Sequence, residues 1–374
     1  MNSIRFPLAA LTFILAMTPA FAAERYRHLV FRETPFAPYA GIHQIDDETA
    51  ASVAHYAFSY DNDGRVVRIA HQIGDAVIGD NGNWDGFIWF APRVDVSYEP
   101  GREIHTYFNE AGDQIQAHGC VYRAVYQLDE DQARSSLRFF DQDGAPCESE
   151  WNIHRYDWRV SDDGHILEKR FNLALEQQPV RPYFKFHEVK LEYDRHGRLA
   201  FMRNLGLDGQ PTNNDSGAGI DRITYDLDGN FIRWQVYDKE GRPIEGNRPG
   251  VHLGEHLYDQ YGNKIGLRGF DRFGAEMPFV SSGVLLRLNA YDSSGNVALR
   301  RAILPDGEEG LQLAYRYSSD GRTLEEIRGQ DAGGNLTAHP SLSGAAIARF
   351  AMDENGAPVR RLFNADGTTF EQAQ

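Results

Sequence analysis

Tyr225-Asp226-Leu227-Asp228-Gly229-Asn230 is the stretch that decides the fold, because its glycine belongs to a series that recurs about every 33 residues. The other members are Gly164, Gly197, Gly262 and Gly295. From Gly197 onward, Asp stands three residues before each glycine. An Asp side chain at the first position of a type I turn accepts local backbone hydrogen bonds, and glycine at the fourth adopts a positive φ. Each Asp-x-x-Gly therefore predicts a reversal between two antiparallel strands.

A second series of glycines lies 12 residues behind the first and consists of Gly209, Gly241, Gly274 and Gly307. The eight residues between two turns, such as 230–237, are long enough for a strand of about 26 Å. Ile232, Trp234 and Val236 alternate there with polar residues, which is typical of a strand with one buried face. We therefore predict an all-β fold, an antiparallel β-hairpin repeat array that forms an elongated meander or solenoid. Each unit has about 33 residues and two turns.

Longer connections rich in turn-forming residues, such as 213–217 and 246–250, lead from each second turn to the next unit and predict surface excursions. Weaker copies of the turns extend the repeat in both directions. The predicted organisation is a signal peptide at 1–22, a divergent N-terminal capping region with early repeats at 23–120, and the β-hairpin repeat array at 121–374.

The first 22 residues indicate export. One charge, Arg5, precedes an apolar run that ends at Pro19 and at the small residues around Ala22, a pattern typical of a secretory signal cleaved after Ala22. The alternative is a membrane anchor, but twelve mainly apolar residues fall short of the roughly 20 needed to span a bilayer. We expect a periplasmic or secreted protein with no membrane span.

The exported part carries 37 Lys and Arg against 54 Asp and Glu, a net charge of −17. Nucleic-acid binding requires clustered cations, so this charge argues against a nucleic-acid partner. It suits a basic protein partner or cations held between carboxylates.

Cys120 and Cys147 are the only cysteines, and in an oxidising compartment they are candidates for one disulfide. The alternative is a catalytic thiol, which would require an activating histidine nearby.

The repeated Tyr-Asp turns at Tyr193-Asp194, Tyr225-Asp226, Tyr258-Asp259 and Tyr291-Asp292 resemble the YD repeats of bacterial rearrangement-hotspot proteins. The resemblance spans most of residues 60–370. It implies an exported or surface-associated β-repeat protein with no particular activity. This chain differs in having two turns in each unit, so the shell-forming role of the large family members does not carry over.

Two kinds of stretch match the sequence patterns of metal sites. His252-Leu253-Gly254-Glu255-His256 matches the H-x-x-E-H of some zinc peptidases. It falls on a predicted strand, however, where residues four apart lie about 13 Å apart. Asp-rich turns such as 226–229 resemble parts of calcium loops but lack the remaining ligands. We expect no metal site and no cofactor.

A row of cations stands six residues after the first-turn glycines, at Arg170, Arg203, Arg268 and Arg301. In stacked units these like charges would repel unless carboxylates or an anionic ligand offset them. Pairing with Asp and Glu is the structural interpretation, and ligand binding is the functional one.

The N-terminal stretch 79–90 joins a polar loop to an aromatic run. Trp84 and Trp89 are therefore candidates for stacking on sugars, while the alternative is that the aromatic residues fill the core of a capping unit. Trp84, flanked by turn residues, is the more exposed candidate.

No nucleophile elbow, phosphate loop or Cys-His pattern is present in the sequence. Repeat arrays offer long binding surfaces. We therefore expect a non-enzymatic binding protein with a protein or glycan partner. The alternatives are a polysaccharide-active enzyme of the cell envelope and an immunity-type protein that neutralises a basic exported toxin.

Overall fold

The computed structural model describes residues 23–83, 88–352 and 358–371, so the predicted signal peptide lies outside the described residues. The chain forms one antiparallel sheet of 25 strands that follow one another as hairpins. The predicted all-β hairpin array is confirmed. One short helix, α1 (Asp47–Ala50), and one 3₁₀ turn (Pro340–Leu342) interrupt the strands, and no helix in these residues is long and apolar enough to cross a membrane.

The first half of the sheet contains β1 (Glu24–Leu29), β2 (Gly41–Gln44), β3 (Ala54–Tyr60), β4 (Val66–Ile73), β5 (Ala76–Val77), β6 (Arg93–Glu99), β7 (Arg102–Phe108), β8 (Arg123–Leu128), β9 (Arg134–Phe140), β10 (Arg155–Val160), β11 (Ile166–Phe171) and β12 (Gln177–Gln178). The second half contains β13 (Glu188–Tyr193), β14 (Leu199–Leu205), β15 (Ile220–Tyr225), β16 (Phe231–Tyr237), β17 (Leu253–Tyr258), β18 (Lys264–Phe270), β19 (Glu276–Met277), β20 (Leu286–Tyr291), β21 (Val297–Ile303), β22 (Glu309–Tyr317), β23 (Leu324–Gln330), β24 (Ile347–Met352) and β25 (Pro358–Phe363). The two-residue strands β5, β12 and β19 fold back on the strand before them.

The Asp-x-x-Gly turns have the predicted geometry. At 226–230, Gly229 has a φ of +94° and its N–H donates to the carbonyl of Asp226. The Asp226 carboxylate accepts from the backbone N–H of Asn230 at 2.8 Å and from its side-chain amide at 2.8 Å. The Asp side chain therefore holds the turn by local hydrogen bonds.

A β-bulge lies beside most of the first turns. In β13–β14 the register shifts between Glu192 and Tyr193, so that Tyr193 pairs with Leu199 while Glu192 pairs with Phe201. The same shift occurs in β15–β16, β17–β18 and β20–β21. Between β10 and β11 the register is continuous from Val160–Ile166 onward. This difference decides which face of the sheet later residues of β11 occupy.

The interior face of the sheet carries the core. The largest cluster of buried apolar side chains extends from Leu29 to Trp158, and a second contains Leu191, Met202 and Val236. The larger cluster is continuous across residues 120 and 121, where the sequence pattern places the border of the capping region. A disulfide joins Cys120 and Cys147 beside this cluster.

Residues 30–40, which we call the strap, connect β1 to β2 and lie against the interior face. The Phe36 ring lies 5.4 Å from that of Trp158 and 5.8 Å from that of Tyr193, and Phe31 lies 4.4 Å from Phe231. The strap therefore contacts strands from several units at once.

Buried charges secure the strap to the sheet. Arg134 of β9 donates to the carbonyls of Pro35 and Phe36 at 3.0 and 2.9 Å, and it also pairs with Glu103 of β7. On the other side, Arg181 pairs with Glu33 at 2.7 Å. Arginine donors thus satisfy polar strap groups that burial would otherwise leave without partners.

The first-turn edge of the later units packs against the N-terminal residues. The Asn that follows the turn glycine in three units bridges the two parts: Asn230 contacts His43 at 2.8 Å, Asn263 accepts from Asn83 at 3.0 Å and Asn296 accepts from Asn81 at 3.1 Å. The sheet is therefore rolled, with residues 28–83 lying along the turns of units up to residue 296.

Candidate binding groove

Three arginines of the predicted row lie on the outer face, and each has a carboxylate partner. Arg203 pairs with Glu192. Arg268 pairs with Glu255 at 2.6 Å and Arg301 with Glu309 at 3.1 Å. The three do not face one another across neighbouring strands, because the residue opposite Arg203 on β15 is Ile220. A continuous anion-binding row is therefore not formed.

Arg170 occupies the opposite, interior face. Because β10–β11 has no bulge, the residue six positions after Gly164 corresponds to the seventh position in the other units, and a one-residue slip reverses the face of a strand residue. Arg170 is fully buried and pairs with Glu168, and it donates to the carbonyl of His187 at 2.7 Å. Its role in this structure is to join the sheet to the following excursion.

Of the two tryptophans of the N-terminal stretch, the structure describes only Trp89. Trp89 is 3% exposed, with its ring 5.0 Å from Phe139 and 6.3 Å from His118, so it presents no face to a sugar. Trp84 lies outside the described residues.

The H-x-x-E-H spelling falls on a strand, β17, and its side chains are engaged separately. Nδ1 of His252 contacts the carbonyl of Val236 at 2.8 Å, and Glu255 pairs with Arg233 and Arg268. Over residues 23–83, 88–352 and 358–371, no three His, Cys, Asp or Glu side chains lie where they could hold a metal ion.

Several interior carboxylates have raised pKa values. Burial raises the pKa of Glu168 and that of Glu33, and it raises the pKa of Asp221 well above its usual value. Glu168 and Glu33 are nevertheless ion-paired, to Arg170 and Arg181. The Glu33–Arg181 pair joins the strap to the sheet, and the Glu168–Arg170 pair lies on the interior face.

An open groove of about 780 Å³ lies between two neighbouring excursions. One wall comes from residues 177–187, which follow β11, and the other from residues 204–215, which comprise the end of β14 and the excursion after it. The excursions are joined at the rim by an ion pair of 2.8 Å between Lys185 and Asp215. The lining residues are Gln177, Pro179, Pro182, Lys185, His187, Asn204, Leu205, Gly206, Leu207, Thr212, Asn213, Asn214 and Asp215.

The asparagines of the groove are largely committed to its architecture. Asn204 donates to the carbonyl of Thr212 at 3.2 Å, and the Asn213 side chain accepts from the backbone of Lys239 at 2.7 Å. Asn214 accepts from the backbone of Ala218 at 3.1 Å and donates to Asn247 at 2.9 Å. These hydrogen bonds fix the shape of the walls, so the groove is formed in advance of any ligand.

The remaining groups of the groove differ in exposure and charge. The amide Nε2 of Gln177 is buried and has no hydrogen-bond partner, which costs about 1–3 kcal/mol if nothing satisfies it. Leu207 is 86% exposed at the rim. A hydrogen bond from Lys185 is the main cause that lowers the pKa of Asp215, and the same bond raises the pKa of Lys185. Burial lowers the pKa of His187, so its ring is neutral at pH 7.

The groove has no signature in the sequence. The stretch 213–217 predicts only a surface excursion, and no pattern marks Gln177, Lys185, His187 or Thr212. The one available signal is that these residues depart from the turn-forming composition of the repeat. Their meeting depends on contacts between segments 30 residues apart.

Comparisons with known proteins identify no family: no family model matches the chain, and no curated protein matches its sequence. Among solved structures, it is similar to a porin-like protein from Bacteroides uniformis (12% identity, TM-score 0.26, covering 83% of this chain and 95% of that one). It is also similar to TcdB2-TccC3-TEV (12%, 0.22, 83% and 18%) and to a porin-like protein from Bacteroides vulgatus (10%, 0.22, 80% and 99%). Likenesses at these TM-scores carry no argument about function.

Proposed function

We propose that this chain is an exported, non-enzymatic binding protein whose groove between residues 177–187 and 204–215 holds an extended segment of a partner protein. The observation that carries the proposal is the buried, unpartnered amide of Gln177 in the wall of a groove of about 780 Å³. Gln177 is the one lining residue with a buried side-chain atom that has no partner, and an acceptor on a ligand would satisfy it. The signal-peptide pattern of residues 1–22 and the Tyr-Asp turns of exported β-repeat proteins support export.

The lining favours a polypeptide over a glycan. Among the lining residues, His187 supplies the one aromatic ring, while Pro179, Pro182 and Leu207 supply apolar contacts. Aromatic rings are the usual platforms for flat apolar ligand faces, and aliphatic pockets beside polar groups are typical of peptide grooves. An extended peptide would place main-chain carbonyls near the amide of Gln177.

The groove also lacks the groups that polysaccharide hydrolysis requires. Most glycosidases use two carboxylates, one of them protonated near neutral pH. Asp215 is the one carboxylate among the lining residues, and its hydrogen bond from Lys185 lowers its pKa. It therefore stays ionised and cannot act as a general acid at pH 7.

Selection from a displayed library of random decapeptides tests this function. We expect selected peptides to bind the mature chain with Kd values on the order of micromolar, measured by fluorescence anisotropy. Leu207→Arg, which fills the rim with a longer charged side chain, should abolish binding. The matched control is Leu227→Arg, because Leu227 is also an exposed turn residue but lies at the first-turn end of its hairpin.

Three results would contradict the proposal. Selected peptides that bind wild type and Leu207→Arg equally well would place the site elsewhere. Failure to select any peptide, together with Leu207-dependent binding on an array of neutral oligosaccharides, would make the ligand a glycan. Turnover of any such oligosaccharide would establish an enzyme.

A further inference from the structure

Two arginines lie beyond the groove: Arg248 on the next excursion, and Arg287 at the start of β20, after the excursion that follows. The groove wall at Asn214 is joined to the next excursion by its hydrogen bond to Asn247, and Arg248 follows directly. The backbone N–H of Val280 on the excursion after that donates to the carbonyl of Pro249 at 3.0 Å. The excursions thus stack side by side, in the direction from the groove wall toward Arg248 and Arg287.

Aromatic rings hold both arginines. The Arg248 guanidinium lies over the ring of Tyr183, 4.9 Å from its centre, and Tyr183 follows Pro182 of the groove. The Arg287 guanidinium lies 5.3 Å from the ring centre of Phe279 and donates to the hydroxyl of Ser282 at 3.0 Å. Rings beneath a guanidinium fix its plane and leave its edge free to donate hydrogen bonds.

Neither arginine forms an ion pair with any Asp or Glu in the part of the chain that the structure describes. This differs from the outer-face arginines Arg203, Arg268 and Arg301, which all have carboxylate partners. Burial, and after it the charge of Arg248, lowers the pKa of Arg287. In a chain with 54 acidic residues, two arginines without an ion-pair partner form a local positive site.

We infer that the groove's polypeptide ligand is acidic and that its carboxylates bind Arg248 and Arg287 beside Tyr183. This inference rests on the proposed function. A carboxylate accepts two parallel hydrogen bonds from one guanidinium, and such pairs are among the stronger hydrogen bonds in proteins.

The negative net charge of the protein does not prevent such binding. At 0.15 M ionic strength, exposed charges act over a Debye length of about 8 Å, so the local charge at the site decides the affinity. There, the Lys185–Asp215 pair is neutral overall, and the two arginines leave an excess of positive charge.

Two labelled decapeptides test the inference on the whole mature chain: five Glu-Thr repeats and the neutral counterpart of five Gln-Thr repeats. We expect the acidic peptide to bind at least roughly tenfold more tightly. The double variant Arg248→Gln/Arg287→Gln should bind the acidic peptide as weakly as the neutral one, while its affinity for the neutral peptide stays unchanged. The matched control is Arg222→Gln, because Arg222 is also exposed and lies 5.7 Å from a ring, that of Phe201, on another part of the sheet.

The outcomes separate this inference from the proposed function. If the two peptides bind equally well and Leu207→Arg blocks both, the groove remains the binding site. The inference that its ligand is acidic is then overturned. Loss of acidic-peptide binding in Arg222→Gln equal to that in the double variant would show a general charge effect and overturn the site. Arginine-dependent binding of oligogalacturonate without binding of the acidic peptide would assign an anionic glycan instead. If neither peptide nor any selected decapeptide binds wild type, both proposals fail.

Discussion

At the scale of single residues, the same position after a turn glycine has opposite roles in different units. Arg170 and Arg203 each stand six residues after a glycine, and each pairs with a glutamate. Arg170 is fully buried with Glu168, whereas the Arg203 side chain is 36% exposed. Counting along the sequence does not reveal this difference, because one bulge residue reverses the face of everything that follows it.

Replacement of these two arginines by methionine tests the distinction. Arg170→Met leaves the Glu168 carboxylate buried without its cation, so we expect a loss of about 3–5 kcal/mol in the free energy of unfolding. Arg203→Met removes a partly exposed pair and leaves Glu192 within reach of solvent, so it should cost less than Arg170→Met, about 1 kcal/mol. Urea denaturation at pH 7 measures both. Equal losses would show that Arg170 is not enclosed as the structure places it.

Residue types alone indicate which side chains have hydrogen-bond partners, but not which residues those partners are. The Asp of each Asp-x-x-Gly was predictable as a turn residue because its partners lie within four positions. The partners of Asn296 lie up to 215 residues away. Local chemistry is therefore readable from the sequence, and long-range pairing is not.

At the scale of elements, the turn Asp-x-x-Gly-Asn has a second function beyond reversing the chain. Asn296 is fully buried, accepts from Asn81 and donates to the carbonyl of Gly321 at 2.9 Å. Asn335 occupies the same place after Gly334, but it is exposed and bonds only within its own turn, to Asp331. The same turn motif thus occurs both in a solvent-exposed turn and in a turn that packs against the N-terminal residues.

We expect Asn296→Ala to reduce the free energy of unfolding by about 1–3 kcal/mol, because it leaves the buried amide of Asn81 and the carbonyl of Gly321 unsatisfied. Asn335→Ala should change it by no more than about 0.5 kcal/mol, as is usual for surface positions. Thermal or urea unfolding of both variants measures the difference. If Asn335→Ala proved as costly, the effect would belong to the turn and not to the docking contact.

The strands and turns were predictable from the sequence, whereas the groove was not. The turn motifs, and the alternation of apolar residues such as Ile232, Trp234 and Val236, depend on neighbours along the chain. Both can therefore be recognised in a single sequence. The groove depends on how the excursion at 177–187 leans against that at 204–215, and Lys185 and Asp215 meet across 30 residues. Loop conformations of this kind have no periodic signal.

At the scale of the whole molecule, the strap joins distant units of the rolled sheet, and it couples some strands and not others. A repeat array normally has contacts only between neighbouring units, and its stability is then a sum of local terms. Here Phe36 contacts Trp158 and Tyr193, and Arg134 donates to strap carbonyls 98 and 99 residues away. The units from β7 to β16 are therefore coupled through the strap, whereas β24 and β25 have a small separate core around Leu313 and Leu342.

This coupling predicts how the sheet responds to a change in the strap. Phe36→Ala should lower the free energy of unfolding by roughly 2–4 kcal/mol, because it removes a ring packed between two aromatic side chains. Hydrogen exchange followed by mass spectrometry should show faster exchange in β8–β14, while β24 and β25 exchange at wild-type rates, since local opening follows the contacts that are lost. Phe273→Ala is the control, because Phe273 is 88% exposed and its loss should alter neither measurement. Equal acceleration in all strands would mean that the chain opens as one cooperative unit, and acceleration confined to β1 and β2 would mean that the strap does not hold the distant strands together.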